Sequence, residues 1–265
     1  QGRGPAWANS LFEDNAEFGY GIQLASRALR IPILKAAERL MHKSKHESIR
    51  EVIQKYLETQ NSSSENSPAT RNMIAALEAC DCVDEDKDYI LKHQDYAAKK
   101  SHWIVGGDGW AYDIGFGGLD HVLSGNSDVN VLVFDTEVYS NTGGQSSKAT
   151  PLGAIAQFAA SGKESGKKDL TAIAMSYGQA YVAQVSMGAD FNQCIKAFTE
   201  AESYPGPSLI VAYAPCISHG IQGGMTKAKN TEKAVVEAGY WHLFRYDPRL
   251  EYEGKNPFQL DSKEP

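Results

Sequence analysis

The chain has 265 residues, of which 42% are hydrophobic and 22% charged, and its formal net charge at pH 7 is −7. This composition is typical of a globular protein with one large domain or two smaller ones. No nucleic-acid partner is expected, because proteins that bind nucleic acids usually carry a basic surface. No apolar run approaches the roughly 18 residues of a membrane-spanning helix, so no membrane partner is expected.

The first hundred residues are predicted to be mainly helical. Residues 1–21, rich in glycine, asparagine and aromatic residues, predict an ordered loop. Apolar residues at helical spacing predict a helix over 22–58 with a break at Pro32. The polar run NSSSENSP at 61–68 predicts an exposed linker. Pro68 can open the next helix, in which Met73, Leu77 and Cys80 would share one face. Residues 83–100 predict a further, solvated helix.

From residue 101 onward, short apolar runs alternate with segments that are compatible with helices. The predicted strands are HWIVGG, VNVLVFD, LTAIAMS and SLIVAYA, which end near residues 106, 135, 176 and 214. The predicted helices are 112–124, 151–160, 178–202 and 220–239. This alternation predicts an α/β domain, an open and mostly parallel sheet with helices on both faces.

The predicted domain organisation is an α/β domain over 101–265 that is preceded by a helical insertion at 22–100. The loop at 1–21 is expected to belong to the α/β domain. Gln1 is not an initiator residue, and FQLDSKEP is an abrupt polar end. Both ends are therefore expected to be cuts in a longer polypeptide.

The candidate site lies at one edge of the predicted sheet, because parallel sheets bind ligands at the carboxyl ends of their strands. The segments that follow the predicted strands are Gly107-Asp108-Gly109, Asp135-Thr136-Glu137, Ser176-Tyr177-Gly178 and Pro215-Cys216. The strand ends therefore carry hydroxyl, carboxylate and thiol groups within one region.

Neither glycine-rich stretch is a nucleotide-binding motif. In GGDGWAYDIGFGG at 106–118, Tyr112 stands where the dinucleotide fingerprint requires its third glycine. The segment SGKESGKKD at 161–169 lacks the spacing of a phosphate-binding loop, and no hydroxyl residue follows its lysines. That segment predicts a charged surface turn.

A magnesium site explains the stretch GGDGWAYDIGFGG at 106–118 better than a nucleotide-binding motif does. Asp108 and Thr136 lie 28 residues apart, each at the end of a predicted strand, so their side chains can face each other. A carboxylate and a hydroxyl are hard oxygen ligands suited to Mg²⁺, and bare backbone at Gly107 and Gly109 lets a diphosphate approach. For an isolated Gly-Asp-Gly, the commoner alternative is a turn in which Asp108 caps a helix.

The longer pattern resembles one enzyme family. Gly-Asp-Gly, an apolar strand and then DTEVYSNTGGQSSKATP at 135–151 are followed by APCISHGIQGG and RYDPRL. This order resembles the carboxyl-terminal, thiamine-diphosphate-binding region of the pyruvate:ferredoxin (flavodoxin) oxidoreductases, as does GRGPAWANSLFEDNAEFGYG near the start. The resemblance covers both ends and everything from about residue 101, and between about 25 and 100 only helices are predicted.

The resemblance implies roles for the residues at the strand ends. Asp108, Thr136 and the carbonyl of Val138 would hold Mg²⁺, and Asn141 would contact the substrate as a catalytic residue. The residues that would line the cofactor are Gly107, Asp108, Gly109, Trp110, Thr136, Glu137, Val138, Tyr139, Ser140 and Asn141. The general thiamine motif ends in an asparagine pair, where this chain has Asp135-Thr136. Taken alone, Asn141 is better explained as a turn residue before Thr142-Gly143-Gly144.

The resemblance also makes Cys216 one of four thiolates around a [4Fe–4S] cluster, the other three lying upstream of this chain. Cys216 on its own is compatible with a small core residue. A zinc site built from Cys80, Cys82, Cys216 and His219 is a less favoured alternative, because two distant segments would have to meet. Cys194 is expected to be buried in a helix.

The implied reaction is oxidative decarboxylation of pyruvate to acetyl-CoA and CO₂, with electrons passing through iron–sulfur clusters to ferredoxin or flavodoxin. The implied partners are pyruvate, coenzyme A, the electron acceptor, the rest of the same polypeptide and a second copy in a homodimer. The implied compartment is the cytoplasm or a mitochondrion-related organelle such as a hydrogenosome. A glutamate that such enzymes need comes from another domain in this family, so the isolated chain is expected to be inactive.

Two alternative functions remain open at this point. One is the same domain in another 2-oxoacid oxidoreductase, or in a fusion that passes electrons to NADP. The other is a non-catalytic α/β module in which Asp108 has only a structural role.

Overall fold

The computed structural model describes residues 6–10 and 12–263. Parts of the predicted loop at 1–21, namely residues 1–5 and 11, lie outside the described residues. The described residues form two compact units. One comprises residues 21–102, and the other combines 103–263 with the described residues up to 20.

The first part of the chain forms the helices α1 (Asn15–Lys43), α2 (Glu47–Glu58), α3 (Ser63–Ala79) and α4 (Glu85–Lys92). Helix α1 continues through Pro32 and replaces the last third of the predicted loop, so the break predicted at Pro32 is wrong. Buried apolar side chains just after the proline, from Ile33 to Leu40, stabilise the helix across it.

The linker predicted at 61–68 is wrong, because helix α3 begins there. The Ser62 hydroxyl caps the helix by accepting a hydrogen bond from the Glu65 amide at 3.3 Å. Asn66 is fully buried, and its side-chain amide donates to the Tyr56 carbonyl at 3.0 Å. The polar composition of this stretch therefore serves a helix start and a buried hydrogen-bond network, not an exposed linker.

Among the described residues, six strands form one sheet in the order β1 (Trp103–Gly107), β2 (Val129–Asp135), β6 (Pro207–Tyr213), β5 (Tyr181–Val185), β7 (Phe244–Tyr246) and β8 (Phe258–Leu260). The first four are parallel, and β7 and β8 add antiparallel strands at one edge. The predicted α/β class with a mostly parallel sheet is thus confirmed. In the described part of the chain, no helix is both long and apolar enough to cross a bilayer.

Helices cover both faces of this sheet. On strand β6, Leu209 and Val211 face a core shared with α5 (Phe116–Ser124) and α6 (Leu170–Ser176). Ile210 lies between them and faces the opposite core, shared with α7 (Phe191–Ser203). Alternate residues of a strand point to opposite faces, so β6 is buried on both sides, as its continuous apolar run predicts.

One predicted strand and one predicted helix are assigned wrongly. LTAIAMS forms helix α6, which Asp169 caps by accepting from the Ala172 amide at 2.8 Å. The missing strand is β5, which lies inside the predicted helix 178–202, and the rest of that segment contains α7. Residues 176–178 therefore do not follow a strand.

The remaining predicted helices are partly correct. Within 112–124 and 220–239 the structure has α5 and α8 (Ala228–Glu237). The predicted helix at 151–160 is absent from the described residues, where turns occur instead. Positive backbone angles at Gly153 (φ 78°) and Phe158 (φ 64°) are incompatible with a right-handed helix.

Short elements complete the second unit. Strands β3 (Val138–Tyr139) and β4 (Gln145–Ser146) form an antiparallel pair, and α9 (Arg249–Tyr252) follows β7. Residues Gly109–Ile114 wind as a π-helical turn directly after β1. Such turns often occur at functional sites.

Candidate functional site

The site is built from the ends of two neighbouring parallel strands. β1 ends at Gly107, which pairs with Phe134 of β2, so the residues that follow the two strands are neighbours. The Thr136 hydroxyl donates to Asp108 Oδ1 at 2.7 Å, and the Thr136 amide donates to the same oxygen at 3.1 Å. The structure thus brings the two predicted side chains into direct contact.

Three oxygens converge at this point. Besides its contact with Asp108, Thr136 Oγ1 lies 2.9 Å from the carbonyl oxygen of Val138. Magnesium–oxygen bonds of about 2.1 Å at right angles place neighbouring ligands about 3 Å apart. The distances from Thr136 Oγ1 to Asp108 Oδ1 and to the Val138 carbonyl oxygen therefore each agree with neighbouring ligands of an octahedral site. The Thr136 hydroxyl can donate its single proton to only one of the two neighbouring oxygens. A cation between the oxygens would interact favourably with both.

Asp108 is a fully buried carboxylate whose described hydrogen-bond partners are uncharged. They are Thr136 and the Ser147 hydroxyl, which donates to Oδ2 at 2.6 Å. Burial, and secondarily the nearby charge of Asp135, raise the pKa of Asp108 to about 6, although these hydrogen bonds lower it in part. Within residues 6–10 and 12–263, no positively charged group contacts the ionised form, so a bound cation would stabilise it.

No group of three or more His, Cys, Asp or Glu side chains in the described residues is arranged to hold a metal ion. The oxygen set at Asp108 is of a different kind, because it combines one carboxylate with a hydroxyl and a carbonyl. Magnesium is commonly held by one or two protein carboxylates, with water and substrate phosphate oxygens as further ligands. The set thus fits a cation that brings a phosphate ligand with it.

Two glycines beside Asp108 have different reasons for lacking a side chain. A Cβ at Gly109 would lie 2.4 Å from the ring of Tyr139, so packing excludes one. At Gly107 the nearest atom to a Cβ would be the Phe134 carbonyl at 4.0 Å, so internal packing does not require glycine there. Bare backbone at Gly107 leaves space for a ligand to approach.

The predicted cofactor-lining residues divide into buried and exposed groups. The Trp110 side chain is fully buried in the core, so only its backbone could contact a ligand. Tyr139 is half-buried, and its pKa rises to about 12 because of burial and the nearby Asp113. Ser140 and Asn141 are exposed in a single turn that ends at Gly143 (φ 113°). Asn141 is therefore both a turn residue and accessible to a ligand.

Cys216 follows strand β6 and lies close to the same oxygens. Its thiol is free and buried, and its sulfur accepts hydrogen bonds from the Ser140 hydroxyl at 2.9 Å and the Ser218 amide at 3.3 Å. The Ser140 hydroxyl also lies 2.8 Å from Thr136 Oγ1. A continuous hydrogen-bonded path thus connects Asp108 to the Cys216 sulfur.

The other cysteines do not form the zinc set considered from the sequence. Cys80 and Cys82 are joined in a disulfide, which removes both as thiolate ligands. The His219 ring accepts from the backbone amide of Cys216 at 3.3 Å, which caps a local turn. Cys194 is buried in helix α7, as predicted.

Lys167 was not recognised from the sequence. The segment 161–169 was predicted to be a charged surface turn, but the Lys167 side chain is largely buried. Its ammonium lies 2.7 Å from Asp135 Oδ2 and 3.0 Å from Glu137 Oε1. Burial lowers the pKa of Lys167, but the charges of the two carboxylates outweigh this, so the net shift is upward. No local pattern reveals these contacts, because the carboxylates precede the lysine by about 30 residues.

Comparison with known proteins identifies the domain at this site. The family model described as thiamine pyrophosphate enzyme, C-terminal TPP binding domain, matches residues 91–212. That range includes Asp108, Thr136, Val138 and Asn141 but ends before Cys216.

Relatives of known name match along the chain. The pyruvate-flavodoxin oxidoreductase of Klebsiella pneumoniae and the pyruvate:ferredoxin oxidoreductase of Moorella thermoacetica are each 53% identical over 100% of this chain and 23% of their own length. The mitochondrial pyruvate dehydrogenase [NADP(+)] of Euglena gracilis is 51% identical over 99% of this chain and 15% of its own length. The chain thus spans less than a quarter of the length of these relatives. It belongs to the family of pyruvate:ferredoxin and pyruvate-flavodoxin oxidoreductases, within which it carries the thiamine-diphosphate-binding domain.

Proposed function

We propose that the chain binds the diphosphate of thiamine diphosphate through a Mg²⁺ ion held by Asp108, Thr136 and the carbonyl of Val138. The convergence of these three oxygens at the ends of β1 and β2 carries the proposal. It is supported by the buried, uncompensated carboxylate of Asp108 and by the match to the cofactor-binding domain.

The surrounding residues would divide the remaining tasks. Backbone from Gly107 to Trp110 and from Thr136 to Asn141 would line the cofactor, with Gly107 allowing close approach. The exposed Asn141 amide would donate a hydrogen bond to a substrate carboxylate or developing oxyanion. Thiamine diphosphate, when bound, supplies the nucleophilic and electron-accepting chemistry needed to decarboxylate a 2-oxoacid.

Cys216 would supply one thiolate to a [4Fe–4S] cluster. The sulfur already accepts two hydrogen bonds, an environment that stabilises a thiolate ligand. The other three ligands would come from outside this chain, since the remaining free cysteine, Cys194, is buried in α7. The hydrogen-bonded path to Thr136 would place the cluster ligand beside the cofactor site.

The whole enzyme would oxidise pyruvate to acetyl-CoA and CO₂ and pass the electrons to ferredoxin or flavodoxin. The names of the similar proteins support pyruvate and both acceptors. The Euglena relative is named for NADP(+) and is nearly as similar, so a fusion that reduces NADP is the second candidate. A homodimer, located in the cytoplasm or a mitochondrion-related organelle, is the assembly that we propose.

Calorimetric titration of thiamine diphosphate into the intact protein, with Mg²⁺ or with a chelator, tests the cofactor site. Binding is expected only with Mg²⁺, and it should be lost in Asp108→Ala. Asp120→Ala is the matched control, because Asp120 lies on α5 and bonds only to Tyr177 among the described contacts. Binding without Mg²⁺, or unchanged binding in Asp108→Ala, would reject the site.

A further inference from the structure

Two buried acids flank Thr136, the residue whose hydroxyl lies at the centre of the proposed cation site. Asp135 is fully buried and Glu137 is nearly so. Together with Asp108, they place three carboxylates close to one another in the interior. Buried like charges repel strongly unless a cation compensates them.

Lys167 provides this compensation for Asp135 and Glu137, the two acids on either side of Thr136, but does not contact Asp108 in the described structure. Its ammonium contacts Asp135 at 2.7 Å and Glu137 at 3.0 Å. Each acid also has a tyrosine partner, since the Tyr112 hydroxyl donates to Asp135 at 2.8 Å and the Tyr240 hydroxyl donates to Glu137 at 2.7 Å. The residues before and after Thr136 are therefore bound to one shared cation.

The backbone between these acids requires such support. Glu137 has a φ of 62°, which is uncommon for a residue with a side chain. This conformation lets the Glu137 amide donate to Asp135 Oδ1 at 3.1 Å and turns the chain from β2 towards Val138. A cavity of about 340 Å³ borders Lys167 and Glu137. Packing alone therefore does not hold these side chains, and the ion pairs with Lys167 act together with the tyrosine hydrogen bonds.

We infer that Lys167 is a positioning residue: by binding Asp135 and Glu137, it holds the turn that presents the Thr136 hydroxyl and the Val138 carbonyl to the cation. The inference rests on the proposed function, because it assigns Lys167 to the same magnesium site. Lys167 itself would touch neither the cation nor the cofactor. Its loss should therefore weaken Mg²⁺ binding and raise the Mg²⁺ concentration that cofactor binding requires, leaving cofactor binding intact once Mg²⁺ is saturating.

The test is a Mg²⁺ titration of the intact protein at a fixed concentration of thiamine diphosphate, with cofactor binding measured by calorimetry. In Lys167→Met, the Mg²⁺ concentration for half-maximal binding is expected to rise by about tenfold or more, the usual effect of losing a partner of metal ligands. Lys167→Arg keeps a cation and should be intermediate. Lys148→Met is the matched control, because Lys148 is exposed and, among the described ion pairs, its ammonium contacts only Asp113.

The outcomes separate this inference from the proposed function. If Lys167→Met is folded by circular dichroism and requires no more Mg²⁺ than wild type or Lys148→Met, Lys167 has no positioning role. If it does not fold, Tyr240→Phe decides, because this change removes only the hydroxyl that contacts Glu137. A rise of about threefold in the Mg²⁺ requirement supports the inference, and no rise overturns it. If wild type itself binds the cofactor without Mg²⁺, the proposed function fails instead.

Discussion

Asp86 in the helical unit and Asp108 in the α/β unit are both buried aspartates, but their surroundings are opposite. Asp86 contacts the Arg39 guanidinium at 2.5 Å and the Lys43 ammonium at 2.6 Å. The hydrogen bond from Arg39, more than any other cause, lowers the pKa of Asp86. Asp108 receives only hydroxyl and amide donors, and burial raises its pKa to about 6.

On the proposed function, this difference separates a structural aspartate from one that binds a cation. The protein neutralises Asp86 with its own cations, so that carboxylate has no need of an external ion. Hydrogen bonds stabilise the ionised form of Asp108, but none of its described partners carries a positive charge. A perturbed carboxylate of this kind marks a candidate functional site, because a ligand must supply the missing interaction.

The largest expected effect is a difference in cofactor affinity between two variants, each of which removes the charge of one aspartate. Asp108→Asn keeps the size of the side chain but should weaken Mg²⁺-dependent binding of thiamine diphosphate by about 100-fold. Asp86→Asn should leave that binding within about twofold, since its partners belong to the helices. Calorimetry on both variants measures the contrast, and equal effects would remove the distinction between the two residues.

The same two variants should differ in the sign of their effect on stability. Without Mg²⁺, Asp108→Asn is expected to leave the melting temperature unchanged or raise it, because burying the ionised carboxylate is unfavourable. Asp86→Asn is expected to lower it by about 3 °C, since two favourable ionic contacts are lost. Differential scanning calorimetry of the metal-free proteins provides the comparison. A large destabilisation by Asp108→Asn would indicate that Asp108 is structural.

The pH dependence of Mg²⁺ binding should follow Asp108 and not Asp86. A proton competes with the metal for Asp108, whose pKa is about 6, so lowering the pH from 7 to 5 should raise the half-saturating Mg²⁺ concentration by about tenfold. In the metal-free protein, the raised pKa means that stability is lost as the pH rises from 3.8 to about 6.

Asp86 behaves in the opposite way. Its pKa is lowered, so its stabilising contribution is complete above 3.8 and is lost only as the pH falls further. Between pH 4 and 7 the change in Mg²⁺ affinity should therefore occur without loss of the ion pairs of Asp86. Mg²⁺ titrations at several pH values, with the melting temperatures of wild type and Asp86→Asn recorded in parallel, check this. A stabilising contribution of Asp86 that is lost between pH 7 and 4 would contradict it.

A smaller effect is expected from Ser147→Ala, which removes the donor at 2.6 Å from Asp108 Oδ2. Loss of a hydrogen bond to the charged form raises the pKa of Asp108 further, so Mg²⁺ binding at pH 7 should weaken by about threefold. Ser146→Ala is the matched control, because Ser146 lies on the short strand β4 and its side chain has no described contact with Asp108. Equal affinities in the two variants would show that Ser147 does not orient the carboxylate.

The contact between Asp108 and Thr136 could be predicted because it follows from the strands. β1, β2 and β6 are continuous apolar runs rich in β-branched residues, as expected for strands buried on both faces. Once two such strands are adjacent and parallel, the residues after them must meet. The sheet edge and the contact between Asp108 and Thr136 could therefore be predicted from the sequence.

Other parts of the fold depend on contacts that the local sequence does not reveal. LTAIAMS is apolar enough for a strand, but the Asp169 cap and a single buried face make it helix α6. The strand YVAQV is only five residues long and precedes a strong helix, so its pattern merged with that of α7. Lys167 was missed for a similar reason, since a lysine among glycines and charges is typical of a surface turn. Only the fold places it between Asp135 and Glu137.

The central claim is that Asp108 holds a cation that bridges to the cofactor diphosphate. Mn²⁺ can replace Mg²⁺ at oxygen-rich sites, so electron–nuclear double resonance on the intact protein with Mn²⁺ and thiamine diphosphate observes this bridge directly. After unbound Mn²⁺ and cofactor are removed, phosphorus couplings to the protein-bound Mn²⁺ are expected in wild type and should disappear in Asp108→Asn, whose binding is about 100-fold weaker. Bound Mn²⁺ without phosphorus couplings in wild type, or couplings that persist in Asp108→Asn, would contradict the claim.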